Sequence, residues 1–490
     1  MLFCTSEFLV FFLLVFAVYW AMPWKQWRIW LLVGASYYFY ACWNHQLALL
    51  VFSTTVVDYF IGLGLERLQS KARRRLLLIA SLVMNLGILC YFKYTNFFLD
   101  SLKASLDAAG YSVPWGPLEI LLPVGISFYT FEAINYTVDV YKRRIPAERN
   151  LSHFLLFITF FPHLVAGPIV RARDFLPQVR TRKRFSWTRM QLGVQLFLLG
   201  LIKKLAIADR MALYVDPVFK NPSAYSSHAV WLATIAYALQ IYCDFSGYTD
   251  MALGTAHMLG YKLAQNFNMP YLAVNVSDFW RRWHMSLSTW LRDYLYIPLG
   301  GSRGGEYKTV RNLMITMSLG GLWHGASWTF VVWGIYHGIL LIVHRLFQKV
   351  VKVSVADASG SDGWPSLTLL ARMLDRFYQS TPGTAYRIAL TFLAVTFGWV
   401  FFRAQTFHDA AWMFKRLLIP SGGAPVPMPA VGFWWAVVLV VLAHAAGSAR
   451  LWKSFSRVPA PVLGFSYAAV LCLVLMFNLD TGAAFIYFQF

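Results

Sequence analysis

Two histidines carry the chemistry this sequence offers. The stretch from Asp278 to Tyr296 crowds three arginines, two aspartates and His284 among tryptophans. Some forty residues on, His324 lies between Trp323 and Gly325 in an apolar run. Ionisable side chains in apolar segments are costly in a bilayer and therefore point to function. A neutral imidazole is cheap to desolvate, can take a proton from a hydroxyl and can return it, which suits general base work near pH 7. His337, in Trp333 to Gly338, is a third imidazole in the same region.

Around these histidines lie candidates for holding a substrate: Arg281, Trp283, Ser288, Trp323 and Asp244. On a continuous helix Arg281, His284 and Ser288 fall at i, i+3 and i+7 and share a face, with Arg282, Ser286, Thr289 and Asp293 on a neighbouring one. A cation, an imidazole and hydroxyls on one side could grip a polar head group. The same stretch also reads as an amphipathic interfacial helix with its tryptophans at headgroup level. Asp244 opens a second polar cluster that runs to Asp250. It reads either as a wall facing a substrate cavity or as a helix end capped by Ser246 or Asp250. The glycine-rich run 299–305 lacks the G-x-x-x-x-G-K-[ST] spacing of a phosphate loop and reads as a turn.

The elements that must position these residues are membrane helices. The 490 residues are 58% hydrophobic and 13% charged, with a mean hydropathy of +0.52. A soluble protein carries roughly a quarter charged residues. Apolar runs near the roughly 20 residues needed to cross a bilayer recur along the chain, so an all-α polytopic membrane protein is expected. The net charge of +21 sits in short loops between apolar runs, as the positive-inside rule describes. That distribution argues against nucleic acid and for anionic lipid headgroups. Cys4, Cys42, Cys90, Cys243 and Cys472 form no C-x-x-C pair, so neither a disulfide framework nor a metal site is expected.

Spans are expected near 8–23, 29–43, 47–64, 76–92 and 119–140, with residues 93–118 a loop bearing at most one surface helix. The first reads as a retained membrane helix, not a cleaved signal. Basic loops at 25–28, 66–75 and 142–149 fall on one side if each run crosses once, which places the N-terminus outside. Parity then fails. Residues 151–170 are apolar but broken by Pro162, Gly167 and Pro168, and Arg171 to Arg189 is again basic. A re-entrant segment at 155–170, lining an internal cavity, resolves the conflict. His163 in it reads as a satisfied buried histidine. Segments near 190–206, 228–243, 312–323 and 327–343 follow, then a polar stretch from Asp357 to Trp364 that reads as a flexible loop. Plain spans come near 387–402, 432–447 and 463–478, with His408 and His444 as surface or packing residues. The expected organisation is one integral membrane domain: N-terminal helices over 1–150, a catalytic core with re-entrant segments over 151–345, a loop region over 346–386 and C-terminal helices over 387–490.

Five stretches resemble the membrane-bound O-acyltransferase (MBOAT) family, in its branch serving alginate, cellulose and peptidoglycan acetylation. They are Asp244-Phe-Ser-Gly-Tyr, the run from Phe279 to Tyr294, Gly321-Leu-Trp-His-Gly-Ala, Leu122-Pro-Val-Gly-Ile-Ser-Phe-Tyr and Phe161-Pro-His-Leu-Val-Ala-Gly-Pro. The likeness runs from the N-terminus to about residue 405. It implies a ring of helices around a thin core, with funnels from each face meeting near the histidines in a buried tunnel. His324 matches the family's near-invariant histidine and His284 its second. The resemblance further implies acetyl transfer from a cytoplasmic thioester donor, acetyl-CoA or another acyl thioester, with no bound cofactor or metal. The acceptor would be an extracytoplasmic polysaccharide, reached through a periplasmic SGNH-hydrolase-like acetyltransferase partner at the bacterial inner membrane. D-alanyl transfer to an envelope polymer is the alternative within the fold, and a non-enzymatic transporter the alternative outside it.

Overall fold

The computed structural model describes residues 1, 3–357, 376, 378, 380–449 and 458–477. Among them the structure is helical throughout, with a single isolated bridge pairing Tyr225 with Ala424. Among the described residues six helical stretches are long and apolar enough to cross a membrane: His45–Arg67, Lys71–Ala108, Trp187–Lys220, Trp328–Lys349, Thr381–Arg403 and Ala430–Ser448. Ser6–Ala21 is apolar but shorter.

The chain divides into two compact units. One comprises residues 1–206, 244–265 and 467–490; the other comprises 207–243 and 266–466. In the first unit α1 (Ser6–Ala21), α2 (Lys25–Ala41), α3 (His45–Arg67) and α4 (Lys71–Leu89) follow the expected spans. Asn44 starts α3 by accepting from the Leu47 amide at 2.9 Å, a side-chain N-cap. A π-helical turn carries α4 on into α5 (Thr95–Ala108), so helix fills the first half of the 93–118 stretch expected as a loop. The next helix is shorter than its apolar run. α6 begins at Ile126, not near 119, because Pro123 precedes Gly125, which is left-handed at φ 74. Proline fixes one torsion and glycine releases another, so the helix starts only after both.

The broken segment is where parity placed it. α7 (Leu151–Thr159) stops before Phe160, and one further turn, α8 (Phe161–Leu164), ends before Gly167. Every residue from 152 to 172 is buried, so protein rather than lipid surrounds this irregular backbone, as its unpaired amides require. Two side chains of α6 (Ile126–Tyr141) stitch it down. Glu132 accepts from the Val170 amide at 2.8 Å and lies 3.2 Å from His163 Nδ1. Asn135 donates to the Val170 carbonyl at 2.9 Å and accepts from the Ala172 amide at 3.3 Å. His163 is 1% exposed and faces the Glu132 carboxylate through Nδ1, while its Nε2 has no hydrogen-bond partner among the described residues, so the expected satisfied histidine is satisfied on one side at most.

Beyond α9 (Ala172–Arg180) the helices outrun the apolar pattern. α10 (Trp187–Leu201) continues through a π-helical turn, Ile202–Ala208, into α11 (Asp209–Lys220). α12 runs from Ser227 to Met258, straight through the polar cluster. Asp244 to Asp250 is therefore not a helix terminus, and Ser246 and Asp250 cap nothing. The aspartates are tolerated mid-helix because two consecutive lysines of the π turn meet them. Lys204 Nζ lies 2.8 Å from Asp244 and Lys203 Nζ 2.5 Å from Asp250. The Lys204–Asp244 pair is buried on both sides.

Removing one partner of a buried pair leaves an uncompensated charge, at a cost of about 3–5 kcal/mol. Lys204→Met is thus expected to lower the thermal stability of the purified protein sharply. Lys204→Met with Asp244→Leu should recover most of the loss. Equal melting of the single and double variants would show that the two charges are not coupled.

In the second unit the expected continuous helix through His284 is two short ones, α13 (Val276–Arg282) and α14 (Met285–Leu291). α15 (Glu306–His324) and α16 (Trp328–Asp357) form an antiparallel hairpin. α17 (Thr381–Arg403), α18 (Phe407–Leu418) and α19 (Ala430–Ser448) follow. Of the 346–386 region expected as loop, α16 takes the residues up to Asp357, Arg376 and Tyr378 are helical, and α17 starts at Thr381. Of the polar stretch from Asp357 to Trp364, Asp357 ends α16 and residues 358–364 lie outside the described residues. The last described helix, α20, covers Ala460–Phe477.

Candidate active site

The site is built around a helix break and a helix end, both in the second unit. Asn275 caps α13 by accepting from the Asp278 amide at 2.8 Å, and Asp278 pairs with Arg282 one turn on at 2.9 Å. The helix then stops. Trp283 is extended, and His284 is left-handed at φ 43, ψ 53. That conformation costs a residue with a Cβ roughly 1–2 kcal/mol and persists only where the surroundings enforce it. The enforcing segment is 266–268. The Met285 amide donates to the Asn266 carbonyl at 2.9 Å and the Ser286 amide to Asn266 Oδ1 at 3.3 Å, while the Asn268 amide donates to the Arg282 carbonyl at 3.0 Å. His284 is consequently fully buried, one residue before α14 begins.

His324 is the last residue of α15, and Gly325 ends the helix in extended conformation. Its place in the hairpin depends on close backbone approach between α15 and α16. A Cβ at Gly321 would meet the Phe330 carbonyl at 2.2 Å, and one at Gly334 would meet the Met317 carbonyl at 2.2 Å. Only glycine permits this, as at other tight contacts between membrane helices. The far end of the hairpin is tied by Glu306, which pairs with Arg345 at 3.0 Å and Lys349 at 2.5 Å. Sitting in the last helical turn places His324 among carbonyls with no helical partner, which favour a positive charge nearby.

Break and end bring the two rings together. The His284 and His324 ring centroids are 6.2 Å apart. Trp323 stands beside both, 5.9 Å from His284 and 5.0 Å from His324. Trp333 and Phe402 close on His324 at 5.1 and 5.2 Å. His324 is 4% exposed. This pair of imidazoles in an aromatic enclosure can accept a proton at one ring and offer a hydrogen bond at the other. The low dielectric of the enclosure strengthens the hydrogen bond.

The other sequence candidates divide. Trp323 joins the site. Trp283 is buried but stacks on Phe279 (5.5 Å) and packs against Trp399 (5.0 Å) and Phe267 (5.1 Å), behind the histidines. Ser288 Oγ donates to the Trp283 carbonyl at 3.2 Å, so it supports the break. Arg281 is exposed while His284 is buried, so the shared face drawn on a continuous helix does not exist. Asp244 belongs to the first unit and is paired with Lys204. The turn at 299–305 is a turn, with Gly300, Gly301, Gly304 and Gly305 all at positive φ.

Sequence reasoning assigned no place to Trp333 or Phe402. It noticed His337 without giving it a role. His337 is fully buried and stands 4.9 Å from Trp333. The available signal was spacing: Trp333 and His337 are four apart on α16, and Trp399 and Phe402 three apart on α17, so each pair shares a helical face.

Residues 9–366 match the MBOAT, membrane-bound O-acyltransferase, family, and the chain belongs to it. It is a multi-pass membrane acyltransferase. It is 42% identical over 421 residues to the probable alginate O-acetylase AlgI of Pseudomonas syringae pv. tomato, covering 85% of this chain and 75% of that one. It is 36% identical over 421 residues to the peptidoglycan O-acetyltransferase of Helicobacter pylori (81% and 74% covered). Likeness to the teichoic acid D-alanyltransferase of Bacillus subtilis is 27% over 313 residues (60% and 71% covered).

Proposed function

We propose that this chain takes an acetyl group from a cytoplasmic thioester, acetyl-CoA or another acyl thioester, and transfers it to an acceptor hydroxyl. This would be the membrane step in O-acetylation of an extracytoplasmic polysaccharide. The observation that carries the reading is the His284–His324 pair, 6.2 Å apart and buried together beside Trp323. The relatives named for alginate and peptidoglycan O-acetylation support the acyl group and the acceptor class.

In this reading His324 removes the hydroxyl proton as the oxygen attacks the thioester carbonyl. A tetrahedral oxyanion forms, and His284 donates a hydrogen bond to it or holds the acceptor. The C–S bond then breaks, and the thiolate leaves with the proton from the His324 imidazolium. Trp323 walls the acyl group. Activation resides in the thioester, so no resident cofactor or metal is required. The acetyl group passes to the polymer through a periplasmic SGNH-hydrolase-like acetyltransferase, which places the chain in a bacterial inner membrane among its lipids. Nucleic acid has no part. The D-alanyltransferase relative supports a second reading, in which the acyl group is D-alanyl.

Purified protein in sealed vesicles, given labelled acetyl-CoA on one face and the partner enzyme on the other, tests this directly. Label is expected on the partner or its polysaccharide as a base-labile ester. Free labelled acetate crossing without ester would favour transport and refute the reading. Preference for a D-alanyl thioester would favour the second reading.

A further inference from the structure

A concentration of positive charge in the first unit has no part in the site described above. Three stretches, 20–28, 178–190 and 257–262, hold eight lysines and arginines and no aspartate or glutamate. Basic loops that act only as topological signals need no fixed arrangement. These are fixed. Lys25 Nζ donates to the Arg180 carbonyl at 2.6 Å, Arg28 to the Lys183 carbonyl at 3.0 Å and Arg182 to the Pro23 carbonyl at 3.1 Å. Residues some 155 positions apart are thus laced into one platform.

The partners matter as much as the distances. A carbonyl oxygen satisfies a donor without neutralising its charge. Of the eight cations, Arg180 has a carboxylate partner, Glu148 at 2.8 Å. Lys183 lies over the Tyr261 ring, 4.6 Å from its centroid. Burial, then the charges of Arg189 and Lys25, pull the Lys183 ammonium down to about 8. Like charges held this close raise the affinity for any anion that settles among them.

Exposed aromatic side chains mark where that anion comes from. Trp24, Trp27, Phe185 and Trp187 are 66%, 62%, 42% and 78% exposed. Phe185 bridges Trp20 and Trp187 at 5.3 and 5.0 Å. Exposed tryptophans beside cations are the pattern of a headgroup-level belt. We propose that the platform formed by Lys25, Arg28, Arg182, Lys183, Arg184 and Arg189 is a binding site for the phosphate of an anionic phospholipid headgroup. The site is independent of the acyl-transfer reading.

The test uses the full chain, purified in detergent and titrated with phosphatidylglycerol, followed by native mass spectrometry. The probe variant is Lys183→Gln with Arg184→Gln and Arg189→Gln. The control removes three exposed cations from the first turn of α4 and the residue after it: Lys71→Gln, Arg73→Gln and Arg75→Gln. Wild type and control are expected to retain phosphatidylglycerol and to ignore phosphatidylcholine, while the probe variant binds at least about 30-fold more weakly. Retention should also fall with salt. Equal retention by the probe variant, or equal loss in the control, overturns the site. Binding of 3′,5′-ADP where phosphatidylglycerol does not bind assigns the platform to a soluble nucleotide and overturns the lipid proposal. Matching thermal melts among the three proteins show that the comparison is between folded forms.

Discussion

Replacing His324 with alanine is expected to lower acyl transfer by about 10²–10⁴-fold, the usual contribution of a positioned general base. The protein should still insert and melt normally. The reason lies in position: His324 ends α15, and the Gly321 and Gly334 contacts that set the hairpin do not involve its ring. Donor binding should change by a few fold at most, so the loss falls on kcat. His324→Gln, which fills similar space and hydrogen-bonds but cannot take the proton, should be as slow as alanine. Initial rates with a labelled thioester donor decide the matter. A glutamine variant within threefold of wild type would leave His324 a packing residue.

Position 284 separates chemistry from backbone. Alanine, asparagine and glycine all remove the imidazole, but they differ in tolerating a left-handed residue. His284→Gly and His284→Asn should therefore remain well folded, although glycine adds unfolded-state entropy. His284→Ala should lose about 1 kcal/mol more than asparagine. All three should lose transfer activity by about 10²–10³-fold if the ring stabilises the oxyanion. Paired thermal melts and rate measurements check both halves. Wild-type activity in the asparagine variant would remove His284 from the reaction. A stability order with alanine highest would mean the break is not enforced at this residue.

Both histidines and Trp323 were legible before any coordinates, because their chemistry is conspicuous in apolar sequence. So was the broken segment at 155–170, since a basic loop on each side cannot be reconciled with one crossing. What escaped depends on contacts distant in sequence. The helix through Asp244 and Asp250 looked finished because aspartates end apolar runs. Lys203 and Lys204, some forty residues earlier, are what let it continue. The left-handed turn at His284 escaped for a similar reason. Nothing local breaks α13 there; Asn266, about twenty residues upstream, takes the amides of Met285 and Ser286. Trp333 and Phe402 escaped because tryptophan and phenylalanine are unremarkable in a chain that is 18% aromatic.

The two lysine–aspartate pairs also constrain how the protein is made. A lysine or aspartate at the centre of an isolated helix costs roughly 2.5–3.5 kcal/mol at the translocon. The segment bearing Lys203 and Lys204 emerges from the ribosome first, with nothing yet synthesised to neutralise it. Its full stabilisation in lipid therefore waits on Asp244 and Asp250, whose carboxylates neutralise Lys204 and Lys203 only once the later segment has been made.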